Sequence, residues 1–250
     1  SITVIKQILS LGLPNAKSVQ MTDFCSFFKQ KGLNVLWQQG QISNFDYLMQ
    51  LNILSGRSFK DISQYPIFPW LITDFTSNSL SNVFNDKNIR DLRKPIGAFK
   101  NDKISGLIEK FKHDGYMYSS GPSKASTVYN DLVRIEPFTG IYAQNKNSPI
   151  FTSIDELFNE STSTDMNELP PEFYFDFEFL KNQNDLQDVK LPTWAKSNSH
   201  YVYMMRKALE SDYVSQHLNH WIDLIWGYKQ QGDDAIGAIN VYSSNLFDKD

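Results

Sequence analysis

The segment Gln64-Tyr65-Pro66-Ile67-Phe68-Pro69-Trp70 puts three aromatic residues and two prolines into seven positions. Proline fixes φ and lacks an N–H, so this stretch is neither a regular helix nor a central strand. Its aromatic rings nonetheless carry large apolar area that asks for burial. Either the segment is an exposed recognition element, or it is core built from extended, irregular chain. Exposing that much apolar area invites aggregation, which favours the core. The fold must then tolerate irregular backbone in its interior.

Around this segment the local signals are mostly helical. In ISNFDYLMQLNILSG, Ser43 is the predicted N-cap, Asp46 lies in the first turn and Gly56 stands just past the end. Phe45, Leu48, Met49, Leu51, Ile53 and Leu54 cover more than one face of that helix, which predicts burial nearly all round. Upstream, Thr22 caps a predicted short helix carrying Phe24, Phe27 and Phe28, ended by Gly32. Ile104, Leu107, Ile108 and Phe111 follow amphipathic spacing, with Gly115 as the stop. A further helix fits SKASTVYNDLVRI, capped by Ser123 and halted near Glu136 by Pro137. Ser153 and Glu156 have capping-box spacing. The alternation in FYFDFEF, Phe173 to Phe179, reads locally as a strand. From His200 to Tyr228 the chain is helical in character, with no proline and one glycine near its end.

Composition narrows the function classes. The chain has 250 residues and 41% hydrophobic content, enough for a sizeable core. Net charge is −4 and no basic stripe is visible, which argues against nucleic acid as a partner. The single cysteine, Cys25, lies among phenylalanines and reads as a buried structural thiol; a reducing, cytoplasmic compartment follows. No signal peptide or bilayer-length apolar run is readable, and the start at Ser1 suggests a piece of something longer. Glycine-rich phosphate loops and the nucleophile elbow are missing. His217, His220 and Asp223 can share a helix face, but metal-ligand spacing such as H-E-x-x-H is absent, so no metal and no cofactor are expected. Arg57, Arg90, Arg93, Arg134 and Arg206 sit beside apolar stretches, as do Asp91, Glu136, Glu210 and Asp223. Bidentate pairs among such groups would fix irregular segments in place.

Longer stretches carry a family resemblance. Trp37 to Trp70, RDLRKPIGA (Arg90 to Ala98), YSS (Tyr118 to Ser120), VRIEPFT (Val133 to Thr139), ELPPEFYF (Glu168 to Phe175), LPTWA (Leu191 to Ala195) and Ala208 to Gly232 together closely resemble the BEACH domain. This is the module of beige, neurobeachin and related large vesicle-trafficking proteins. The resemblance implies a mainly α, multihelical fold whose core includes extended, irregular segments. QYPIFPW becomes one of those, with the helix Asn44 to Ser55 and the stretch Trp221 to Lys229 completing the structural heart. It also implies short helical turns, not a strand, at Phe173 to Phe179.

Residues 1–20 are then the expected linker from a preceding PH-like domain, and residues 21–250 the BEACH domain. The implied role is a non-enzymatic scaffold that packs in cis against that PH-like domain and holds protein partners in trafficking. WD repeats are expected downstream, and membrane association is indirect or peripheral at endomembranes. A peripheral lipid-binding module and a cryptic metal-dependent hydrolase are the alternatives. Candidate protein-interaction residues are Asn44, Arg57, Asp91, Lys94, Arg134 and Glu136, each of which also suits an internal hydrogen-bonding role. Thr193 in place of a proline and the atypical loops 119–127 and 181–190 depart from the family pattern.

Overall fold

A computed structural model of the chain describes residues 32–81, 83–144, 150–163, 166–182 and 186–243. The expected helix capped by Thr22, Cys25 and the linker 1–20 lie outside the described residues, as does part of the loop 181–190. The chain divides into two compact units, Ser1–Gln41 and Ile42–Asp250. In the first, Gly32 adopts a left-handed conformation and helix α1 runs over Leu33–Gln38.

The second unit is helical and irregular in the way the sequence implies. Its helices are α2 (Asn44–Leu54), α3 (Ile104–Asp114), α4 (Ala125–Asp131), α5 (Phe138–Gln144), α6 (Ile154–Ser163), α7 (Asn198–Leu209), α8 (Asp212–Ile225) and α9 (Gly232–Gly237). Among the described residues the extended segments pair only at isolated bridges, such as Phe68 with Leu169 and Ile72 with Ile89.

QYPIFPW is core. Phe68 and Trp70 are fully buried, and Tyr65 and Ile67 nearly so. Trp70 meets Phe75, Phe158 and Phe173 edge-on. Pro66 and Pro69 bring no N–H indoors, which removes two donors that would otherwise need partners. The remaining backbone groups find specific ones. Phe68 N donates to Leu169 O at 2.7 Å and accepts back through its own carbonyl at 2.9 Å. Asn52, buried on α2, acts as a surrogate strand: its Nδ2 donates to Ile67 O and its Oδ1 accepts from Ile67 N. Tyr174 OH donates to Pro69 O.

Local chemistry explains the elements. Ser43 Oγ accepts from Asp46 N at 3.0 Å and so caps α2. Burial of α2 is one-sided: Tyr47, Leu48 and Asn52 face inward while Ile53 is half exposed, so the prediction of burial all round is corrected. The long helix expected from His200 to Tyr228 is two helices. Ser211 leaves helical geometry, donates to Ala208 O and accepts from Val214 N, ending α7 and capping α8. The break frees Glu210 to reach the N-terminus of α2, where its carboxylate accepts from Asn44 N and Phe45 N. Anionic groups are favoured there because the first N–H groups of a helix have no internal acceptor.

Two other expectations shift, and one is borne out. α4 starts after Lys124, without a side-chain cap from Ser123, and stops at Asp131, well before Pro137. Beyond it the chain turns to bury Arg134, whose Nε and Nη2 donate to Gln187 O and Phe151 O. Phe173 to Phe179 forms short helical turns, as the family resemblance implies, and not the strand that its local alternation suggests. Pro171–Tyr174 and Glu178–Leu180 are 3-10 turns, started at Pro171 where a missing N–H costs nothing. Adjacent Phe173 and Tyr174 are both buried while Phe175 is half exposed, a pattern a two-residue period cannot produce. The capping box at Ser153 is half formed: Ser153 Oγ accepts from Glu156 N, but the Glu156 carboxylate takes the Thr152 hydroxyl instead.

Candidate interaction surface

Two buried carboxylates four residues apart, Glu168 and Glu172, organise the surface from within. Glu168, 4% exposed, collects four hydrogen bonds. Its Oε2 accepts from Trp70 N at 2.8 Å and Arg90 Nη1 at 3.2 Å. Its Oε1 accepts from Arg90 Nη2 at 2.8 Å and Trp221 Nε1 at 2.9 Å. One side chain thus ties together QYPIFPW, RDLRKPIGA, ELPPEFYF and the WIDLIW stretch. Arg90 was expected to pair with a carboxylate; Glu168 was not among those singled out. Its signal was ELPP, an acid placed directly before a buried apolar run, where only a partnered charge is tolerable.

Glu172, also in ELPPEFYF, is 5% exposed. Its Oε1 accepts from Tyr65 OH at 2.6 Å, while Oε2 has no hydrogen-bond partner among the described residues. Burial pushes this carboxyl up to about 7, with Asp176 adding to the rise and the Tyr65 hydroxyl opposing it. Burial also raises the Tyr65 phenol.

Two of the surface hollows take in candidate interaction residues. One, of about 400 Å³, is lined by Asp86, Asp91, Arg93, Tyr213, His217 and His220, with Arg90 at its floor. Asp91 accepts from Arg93 Nε at 2.9 Å and Nη2 at 3.1 Å, which holds its carboxyl below the usual carboxylate range. His217 Nδ1 lies 2.7 Å from Tyr213 O and its ring stacks on Tyr213. Partial burial, Lys229 and His217 lower the His220 imidazole. The second hollow, about 440 Å³, lies between Phe59, Tyr65, Phe138 and Ile141, with Glu136 and Glu172 contributing carboxylates.

The six candidate interaction residues divide cleanly. Asn44 and Arg134 are buried and hydrogen-bond internally: Asn44 Nδ2 holds Leu209 O and Ser215 Oγ. Arg57 is partly buried and orders the QYPIFPW backbone through a 2.8 Å bond to Tyr65 O. Asp91 and Glu136 line the first and second hollow respectively. Lys94 donates to Asn101 Oδ1 at 2.8 Å on the surface. The structure therefore brings together neither all six nor His217, His220 and Asp223 as a metal set. Among the described residues no three His, Cys, Asp or Glu side chains are placed to hold a metal ion, and no helix is long and apolar enough to cross a membrane.

Residues 35–250 match the family model described as the Beige/BEACH domain. The chain belongs to the BEACH family. It is 40% identical, over 82% of its length, to "BEACH domain-containing protein lvsD" of Dictyostelium discoideum. It is 38% identical, over 92% of its length, to "Putative neurobeachin homolog" of Caenorhabditis elegans. The chain spans only 8% and 10% of those two relatives' lengths. In this BEACH domain Glu168 holds together segments from four of the motifs that carry the resemblance.

Proposed function

We propose that this BEACH domain is a protein-interaction scaffold within a larger vesicle-trafficking protein, not a catalyst. It acts with an adjacent PH-like domain, and with WD repeats further along the parent chain, in membrane trafficking, lysosome-related organelle biogenesis or autophagy. Its association with endomembranes is peripheral, through the parent protein.

The observation that carries this reading is where the motif-borne charges are spent. Glu168 from ELPPEFYF, Arg90 from RDLRKPIGA and Arg134 from VRIEPFT face inward and bond to backbone, to each other or, for Glu168, to the Trp221 indole. They set a rigid surface; they do not converge on a reacting centre. Relatives about ten times longer, named for BEACH and neurobeachin, support a module that works by holding other parts. The test is a calorimetric titration of the domain with the PH-like domain that precedes it in the parent protein. Saturable binding is expected. No heat, with both partners shown to be folded, would remove the cis-packing part and send the partner search to the BEACH surface itself.

A further inference from the structure

Glu172, a buried carboxylate whose second oxygen has no hydrogen-bond partner among the described residues, is one of the residues lining a hollow with apolar walls. Phe59 and Ile141 at the rim are about half exposed, at 49% and 51%. Tyr65 and Phe138 line the interior and meet edge-on at 6.5 Å. Phe59 stands edge-on to Tyr65 at 5.5 Å. Glu136, whose Oε2 accepts from Gly140 N at 3.3 Å, adds a second carboxylate at the mouth, against the single ammonium of Lys60.

Ionised, as it is above about pH 7, the Glu172 carboxylate only accepts, so what completes it must donate. Tyr65 OH serves Oε1, and Arg57 is occupied with the Tyr65 carbonyl. No cation is among the groups that act on Glu172; the charged neighbour that does is Asp176. A buried acceptor without a partner is costly, and a charged donor is the strongest remedy. The walls choose among cations. Aromatic faces favour a guanidinium, which stacks on rings, over the compact, strongly hydrated ammonium of lysine.

The geometry points to a docking pocket for an arginine flanked by apolar residues in a partner protein, the guanidinium bonding Glu172 Oε2 and the flanking side chains covering Phe59 and Ile141. This rests on the scaffold reading and gives its partner a chemistry.

The test uses the full chain with isoleucine methyls labelled, titrated by NMR to millimolar concentration with acetyl-Leu-Arg-Leu-amide and its citrulline twin. Citrulline keeps the shape and removes the charge. Saturable shifts at Ile62, Ile135 and Ile141 are expected with the arginine peptide. The citrulline peptide should bind about tenfold more weakly or worse, the worth of a charge-assisted hydrogen bond. Glu172→Gln should erase that discrimination. Ile141→Asn, at an exposed position that leaves the interior intact, should weaken both peptides alike. Equal binding of the two peptides, shifts confined to other surfaces, or no shifts at millimolar concentration would each overturn the pocket. Loss of these shifts while the PH-like domain still binds sinks the pocket alone. Peptide shifts without PH-like binding sink only the cis-packing.

Discussion

Glu168 and Glu172 sit four residues apart in the same ELPPEFYF segment and are almost equally buried, yet their surroundings differ in kind. Four donors from three distant segments converge on Glu168, including both terminal nitrogens of the buried Arg90 guanidinium. Glu172 receives one neutral hydroxyl and keeps an oxygen over. A charge enclosed and fully partnered fixes geometry. A charge enclosed and half partnered is expensive in isolation and gains from whatever arrives to complete it. The first belongs to the fold and the second to recognition.

The sharpest way to break this contrast is to neutralise Glu168. Glu168→Gln leaves Arg90 buried without a counter-charge, which should cost about 3–5 kcal/mol. Urea denaturation checks it; a loss under about 1 kcal/mol would mean that water reaches the pair and that Glu168 is no clamp. Replacing both partners with leucine and methionine should recover only part of the loss, because Trp70 N and Trp221 Nε1 still lose their acceptor.

Glu172 should show itself through pH. Its carboxyl titrates near 7 in the folded domain, against 4.5 without the fold. Between those values the native state keeps a proton that the unfolded chain has released, so stability falls as pH rises through that window. At about 1.4 kcal/mol per unit, the fall is on the order of 3 kcal/mol. Urea denaturation at pH 5 and pH 8 measures it, and Glu172→Gln should remove most of that pH dependence. A wild-type stability that stayed level, or rose, over the same interval would contradict the placement of Glu172.

How far the sequence announced this contrast depends on the range of the interactions. Ser43, Gly56 and Gly115 act within a few residues, and the helix ends they mark are where expected. QYPIFPW was legible as core because proline and aromatic chemistry leave few alternatives. The break at Ser211 was missed although Ser211-Asp212 is a cap-like pair, because helical periodicity continues through it. Neither glutamate was singled out. Arg90 and Glu168 are 78 positions apart and Tyr65 and Glu172 are 107 apart, so nothing local says which acid finds a guanidinium and which finds a phenol. The same holds for Asn44: its polar character suggested display, but the α7–α8 break supplies its acceptors indoors.

Tyr65→Phe sharpens the comparison by removing the side-chain hydroxyl that donates to Glu172 while keeping the ring. The variant should lose about 1–3 kcal/mol at pH 8, where the carboxyl is ionised and then has lost its side-chain donor. At pH 5 the carboxyl is protonated, and the loss should be smaller. The carboxyl itself should titrate still higher, since the Tyr65 bond is what restrains its rise. Equal losses at both pH values would mean that the hydroxyl matters for packing alone.

The smallest effect belongs to the exposed counterpart of the Arg90–Glu168 pair. Arg93 and Asp91 make bonds of similar length, yet their side chains are 68% and 37% exposed. Water solvates both ions, so little is gained when they meet and little is lost when they part. Asp91→Asn should therefore change stability by no more than about 1 kcal/mol, with the difference shrinking as salt is added. Thermal melts at low and high ionic strength would check it. A loss comparable to that of Glu168→Gln would show that bond geometry alone, without enclosure, decides which carboxylates hold this domain together.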